Sequence, residues 1–331
     1  MRISVIGAGG WGTAFARLLA LNEHEVILWV RDPVRAAEID RLRENRRYLP
    51  GVVLPQEGLR ITDSLPKATS SDIIALAVPS FAMSDLLSEV KVLVVEAEKI
   101  FVNLAKGIDR KSGKTMSELI ESQVAPRAVF TLSGPSHAEE VGRDIPTAIV
   151  LAGTDLDLGK RIQVALGTPR FRVYLSEDIR GVELCATVKN IIALATGVSD
   201  GLGYGDNSRG ALITRGLAEM VRFGRVFGAK EKTFFGLSGL GDLVATCTSG
   251  HSRNRRVGYR LGQGVSLSEI LSDMPMVAEG VYATTIVHEM ASEKGVEMPI
   301  TDAVYRLLHE GADPLALVEE IMTRAPKQEE V

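Results

Sequence analysis

Short apolar runs alternate with helically spaced segments through the first half of the chain, and then the short runs stop. Residues 2–6, 25–30, 73–78, 100–104, 129–132 and 148–151 are apolar and rich in β-branched residues, and 171–175 is a candidate edge strand. The spacing between them is helical, which predicts βα units and a doubly wound sheet. Beyond Ser176 the pattern changes to long helical stretches over 178–200, 207–227, 280–294 and 300–309. The expected class is therefore α/β: a doubly wound N-terminal sheet domain over 1–180 and an all-helical C-terminal domain over 181–331. One stretch stands apart. Between Gly181 and Thr196 only Glu183 and Lys189 carry charge, so this helix is expected to be buried on most of its surface.

The first strand runs into Gly7-Ala8-Gly9-Gly10-Trp11-Gly12 and then a helical segment from Thr13. Glycine stands at each position where a dinucleotide loop needs it. Gly7 allows the tight turn, Gly9 lets backbone approach a pyrophosphate, and Gly12 permits close helix–strand packing, while the helix start offers free N–H groups. The arrangement is that of a Rossmann-type unit. At the end of the second strand, where an acid usually reads the ribose of NAD, the chain has Arg31 followed by Asp32. A guanidinium there suits a 2′-phosphate, so NADP(H) is favoured over NAD(H); the alternative is a solvated loop arginine with either cofactor accepted. Lys106 follows the 100–104 strand, and Ser133-Gly134-Pro135-Ser136 follows the 129–132 strand. Ligands gather at such carboxyl ends, yet Lys106 also fits an ordinary solvated loop. Ser136 is placed to donate a hydrogen bond there.

Lys189 shares its helix face with Cys185, Ala186, Ile192 and Ala193. Two readings fit: a long side chain snorkelling to water, or a functional lysine held in an apolar setting. Asp242 follows a glycine turn and begins an apolar segment, as a carboxylate favoured by a helix N-terminus would. Ser252-Arg253-Asn254 offers a hydroxyl, a guanidinium and an amide at a helix start, with Ser252 a candidate N-cap. That run suits a phosphate, and equally a solvated basic face.

Composition narrows the partners. The chain has 331 residues, 45% hydrophobic and 24% charged, with a net charge of −4. That balance argues against nucleic acid or an anionic membrane as the main partner. The two cysteines, Cys185 and Cys247, support no disulfide framework, which fits a reducing cytoplasm. With the first strand entered at Arg2, no signal peptide is expected, and no apolar run is expected to reach the roughly 18 residues that span a bilayer. The five histidines show no metal-ligand spacing, so no metal is expected and the redox chemistry falls to the nucleotide.

Taken in order, these segments closely resemble the NAD(P)-dependent glycerol-3-phosphate dehydrogenase family of bacterial type. The motifs run from the glycine loop through Ala105-Lys106-Gly107, Ser133-Gly134-Pro135-Ser136, Val188-Lys189-Asn190 and Thr214-Arg215-Gly216. They continue through Gly239-Leu240-Gly241-Asp242, Ser252-Arg253-Asn254-Arg255, Val277-Ala278-Glu279-Gly280 and Glu297-Met298-Pro299. The resemblance implies reversible hydride transfer between NAD(P)H and dihydroxyacetone phosphate, giving sn-glycerol 3-phosphate for membrane phospholipids. It makes Lys189 the catalytic proton acceptor, its charge weakened by burial. It implies substrate contacts at Lys106, Gly134, Ser136, Lys189, Asp242, Ser252, Arg253 and Asn254, the last three mainly to phosphate. Gly10, Trp11, Arg31, Lys106, Ala138, Arg253, Val277 and Glu279 match cofactor contacts. The active site would lie in the cleft between the domains, and the family is usually a homodimer. Two departures stand out: His137 where an aromatic such as Phe is commoner, and Ala186 where glycine often precedes the lysine. A related two-domain dehydrogenase of another small hydroxy acid or alcohol, and a nucleotide sensor without catalysis, are the alternatives. The Ser252-Arg253-Asn254 run speaks against the first, because a substrate without phosphate does not need it.

Overall fold

The structure, a computed structural model, describes residues 1–94, 98–274, 277–325 and 328. The chain divides into two compact units, Met1–Ile179 and the residues from Arg180 onward.

The first unit is built on an eight-stranded sheet. Its strands are β1 Arg2–Ile6, β2 Glu25–Trp29, β3 Leu59–Thr62, β4 Ile73–Leu76, β5 Ile100–Asn103, β6 Ala128–Ser133, β7 Thr147–Ala152 and β8 Phe171–Ser176. They lie in the order β3-β2-β1-β4-β5-β6-β7-β8, and β1 to β6 are mutually parallel. The order in which strands are added reverses at β1, the switch at which ligands of such sheets collect. Alternate residues feed two cores. Ile73 and Ala75 join Phe15, Leu28 and Phe130 on one face, while Ile74 and Leu76 join Trp29, Met83 and Phe101 on the other.

Two details depart from the expected succession of βα units. Leu59–Thr62 forms an edge strand that the hydropathy pattern passes over, because Leu-Arg-Ile-Thr is too short and half polar to register. β7 runs antiparallel to β6. The link between them holds only a four-residue helix, Ala138–Val141, so the chain turns back instead of crossing over. β8 then pairs parallel to β7 at the sheet edge.

The second unit is helical. Its central element is the 23-residue helix Ile179–Gly201. Among the described residues this helix is long and apolar enough by length and composition to cross a bilayer, contrary to the expectation that no run would qualify. Its most apolar window is 94% buried inside the protein, which accounts for that composition. The helix Arg253–Gly262 packs against it backbone to backbone. A Cβ at Gly197 or Gly201 would overlap the carbonyls of Arg255 or Tyr259, and one at Gly258 or Gly262 those of Leu194 or Val198. Glycine on both partners is what allows the approach.

A buried carboxylate joins two further helices. Glu219, on the helix Asp206–Val226, accepts from the backbone N–H of Ile300 (2.6 Å) and Thr301 (3.2 Å) and from the Thr301 hydroxyl (3.1 Å). It thereby caps the helix Pro299–His309, whose first N–H groups have no partner within the helix. Burial pushes this carboxyl up to about 7, against the donors that favour its charge. The folded value lies above the ordinary one, so folding takes up a proton. Glu219 therefore stabilises the fold fully below pH 4.5 and loses that contribution as pH rises toward 7. The expected swing is roughly 3 kcal/mol. Urea unfolding across this window should show Glu219→Gln with a flatter pH dependence than the parent; an unchanged slope would exclude Glu219 as its source.

Candidate active site

In the first unit, Gly7 ends β1 at φ 115°, a conformation that favours glycine. Gly9 precedes the helix Gly10–Leu21, with open space beside it where a side chain would stand. A Cβ at Gly12 would overlap the carbonyl of Gly7, and one at Gly10 would lie 2.8 Å from the carbonyl of Tyr48. The loop is thus pressed tight behind and left open at Gly9, with no side-chain cap on the helix start. Its free N–H groups and the gap at Gly9 fit a pyrophosphate. One residue missed in the sequence braces it: Asn45, buried, donates to the Ala8 carbonyl (2.9 Å) and to Thr13 Oγ1 (2.8 Å). Trp11 stacks on Phe15 at 5.7 Å, and Ala138 lies 3.5 Å from the same Gly10 position.

Lys106, Gly134 and Ser136 come together at the ends of β5 and β6. The Gly134 carbonyl accepts from Lys106 Nζ (3.2 Å) and from Ser136 Oγ (2.9 Å), and Gly134 itself sits at φ 144°. Lys106 is therefore not a solvated loop side chain. Arg31 is more open: it is 67% exposed and bonds Glu89 Oε1 at 3.2 Å. Asp32 is otherwise engaged, accepting from the N–H of Val34 and Arg35 as N-cap of the helix Pro33–Leu42.

The second unit resolves the ambiguity at Lys189. Its side chain is only 5% exposed, and Nζ donates to Asp242 Oδ1 at 2.7 Å and to Thr246 Oγ1 at 2.6 Å. The snorkelling alternative is excluded. Asp242 opens the helix Asp242–Thr248, as its position after a glycine turn suggested, but its carboxylate is also the partner of the lysine. Thr246 went unrecognised in the sequence. The available signal was its place four residues after Asp242, hence on the same helix face. Its hydroxyl also bonds the Asp242 carbonyl at 2.6 Å.

Ser252 is the N-cap of Arg253–Gly262, its Oγ accepting from the Arg255 N–H at 3.3 Å. Arg253 Nη1 donates to the Val277 carbonyl at 2.6 Å, two residues ahead of Glu279, the first residue of the helix Glu279–Lys294. Asn254 is buried and bonded to two neighbouring helices. Its Nδ2 donates to Asn190 Oδ1 (2.8 Å), and its Oδ1 accepts from the Gly280 N–H (2.9 Å). It thus ties three helices beside Lys189. Asn190 also donates to the Ala186 carbonyl at 3.0 Å, so the alanine at that position supplies the same backbone contact as a glycine. Both cysteines are buried and neither is in a disulfide; burial pushes the Cys247 thiol up to about 11, away from reactive thiolate. Among the described residues no cluster of His, Cys, Asp or Glu has the makings of a metal site.

A Rossmann-type sheet with this glycine loop, joined to a helical unit holding a buried lysine–aspartate pair, is the plan of a nucleotide-dependent dehydrogenase. Two family models match: NAD-dependent glycerol-3-phosphate dehydrogenase N-terminus over residues 2–158 and C-terminus over 178–319. The chain belongs to this family. It is 47% identical to a protein of Chlorobium limicola named glycerol-3-phosphate dehydrogenase, NAD(P)+, with 99% of each chain covered. A Chlorobium phaeobacteroides protein of the same name is 48% identical, again with 99% of each covered. The crystal structure of glycerol-3-phosphate dehydrogenase from Coxiella burnetii superposes with a TM-score of 0.94 at 42% identity, covering 98% of this chain and 99% of that one.

The lysine pair makes a stability prediction. Asp242→Ala leaves a buried ammonium without its carboxylate, so it should lower stability by about 3–5 kcal/mol. Replacing both charges, Lys189→Met with Asp242→Leu, should recover most of that loss in denaturant unfolding. A double variant that loses as much as its two single substitutions added together would mean that the pair is not coupled.

Proposed function

We propose that this protein catalyses the reversible NAD(P)H-dependent interconversion of dihydroxyacetone phosphate and sn-glycerol 3-phosphate, feeding phospholipid synthesis in the cytoplasm. The observation that carries the reading is the buried Lys189 held by Asp242 and Thr246. Nothing in ordinary packing calls for an ammonium there, since burying the charge is unfavourable.

The bound nicotinamide supplies or receives the hydride at the substrate's central carbon. In reduction, the Lys189 ammonium gives its proton to the carbonyl oxygen as the alkoxide forms, leaving the neutral amine. In oxidation that amine takes the hydroxyl proton. Asp242 stabilises the ammonium form and fixes its direction, and Thr246 holds a second Nζ hydrogen bond so that the remaining N–H is aimed at substrate. The N-terminal N–H groups of Arg253–Gly262, with Ser252 and Arg253, take the phosphate. Asn254 joins them, its Oδ1 bonded to Gly280 and one amide N–H to Asn190, with the second amide N–H left for the phosphate. Lys106, Gly134 and Ser136 complete the substrate contacts. Gly7, Gly9, Gly10, Trp11, Gly12 and Ala138 hold the nucleotide, joined by Lys106, Arg253, Val277 and Glu279.

NADP(H) is the preferred nucleotide in this reading. Asp32 is occupied in capping its helix and is not offered to a ribose hydroxyl, while Arg31 needs only to leave an exposed bond to Glu89. Exposed pairs of that kind are weak, so a phosphate dianion displaces it readily.

The test is the loss of reduced-nicotinamide absorbance with dihydroxyacetone phosphate, run with NADPH and NADH in parallel. Lys189→Ala should lower turnover about a thousandfold with nucleotide affinity nearly intact; a large loss of nucleotide binding would remove the base from Lys189. Arg31→Ala should weaken NADPH about tenfold and NADH far less. Equal losses would show that Arg31 does not read the 2′-phosphate.

A further inference from the structure

The last turn of the helix Ile179–Gly201 carries a carboxylate that the mechanism above does not use. Asp200 is nearly buried, with 6% of its side chain exposed. An acid at a helix C-terminus opposes the macrodipole, so its presence there calls for other partners. It has two. Arg255 Nε donates to Oδ2 at 2.7 Å and Arg209 Nη2 to Oδ1 at 2.7 Å. Arg209 belongs to the helix Asp206–Val226, whereas Arg255 is the third residue of Arg253–Gly262.

The consequence lies at the start of that last helix. Asn254 and Arg255 are consecutive, so their side chains leave the helix about 100° apart. One grips Asn190, beside Lys189; the other grips Asp200, ten residues or about 15 Å further along the same partner helix. The contacts between the two helices are glycine against carbonyl, close but without directional hold. Two polar tethers at separate points stop both sliding and rotation. They set where the first-turn N–H groups and Arg253 stand relative to Lys189. Asp200 also takes one guanidinium out of the cluster Arg253, Arg255, Arg256, leaving Arg253 as the arginine bonded to Val277.

We propose that Asp200 is a positioning residue for phosphate recognition: through Arg255 it fixes the phosphate-binding helix start against the lysine helix. This rests on the reading of Ser252-Arg253-Asn254 as the phosphate site. Arg209 shares the same carboxylate but reaches no part of that helix start, so it separates positioning from general support of the fold.

The experiment is steady-state kinetics on the full chain with NADPH and dihydroxyacetone phosphate, for Asp200→Asn, Arg255→Gln, their double variant and Arg209→Gln. Asp200→Asn and Arg255→Gln should each raise KM for dihydroxyacetone phosphate about tenfold, with kcat within about twofold and KM for NADPH unchanged. The double variant should match the singles, because both remove one tether. Arg209→Gln should lower Tm and leave KM alone. An unchanged KM in Arg255→Gln, additive losses in the double, or an equal KM rise in Arg209→Gln would overturn the proposal. If Asp200→Asn does not fold, Arg255→Gln and Arg255→Lys decide it by the same KM readout. Arg253→Ala serves as the reference: no KM change there would sink the phosphate reading itself, whereas a rise there without one in Arg255→Gln would sink the tether alone.

Discussion

The close passage of two helix backbones, glycine against carbonyl, is the constraint on which the second unit depends. Gly197 and Gly201 on one helix and Gly258 and Gly262 on the other leave no room for a methyl group. That contact brings Asn254 within reach of Asn190 and hence a helix N-terminus beside the residue next to Lys189. With ordinary side chains at the crossing the helices would stand about 8–10 Å apart. The polar link could not then form, and a phosphate held at one helix start would be out of register with a proton donor on the other. The apolar composition of Ile179–Gly201 follows from the same packing: surrounded on nearly all sides, it has little use for charge.

Each buried charge described in this unit is answered by a specific partner. Lys189 has Asp242 and Thr246, Asp200 has two guanidiniums, and Glu219 has a helix start. Buried pairs of this kind do little for net stability, because desolvation offsets most of the attraction. What they do supply is direction. A hydrophobic replacement would hold the helices together as well but would not fix which way an ammonium points or where along its neighbour a helix begins.

In the first unit the corresponding constraint is the crowding of Gly12 and Gly10 from behind, with Gly9 left clear in front. Backbone does the work that side chains do elsewhere. The loop presents N–H groups at the switch in strand order, and the side chains that support it, Asn45 above all, bond the loop's backbone and the following helix.

Much of this was legible in the chain. Alternating short runs marked seven of the eight strands, the glycine spacing marked the loop, and the lone lysine of an apolar stretch marked itself. Those signals are local: periodicity, turn chemistry and the energetic oddity of a charge among apolar neighbours reside in adjacent residues. What stayed hidden depends on residues distant in sequence. Leu59–Thr62 is a strand only because β2 lies beside it, and β7 reverses because its connection is too short to cross the sheet. Whether Lys189 snorkels or is paired was decided by Asp242 and Thr246, more than fifty residues away. The bonds of the Asn254 side chain to Asn190 and Gly280 depend in the same way on residues far off in the chain. Sequence by itself determined which residues carry unusual chemistry and which elements hold them. Tertiary structure alone decided their partners, since a hydrogen bond or ion pair is set by a few ångströms of separation that only the packed chain defines.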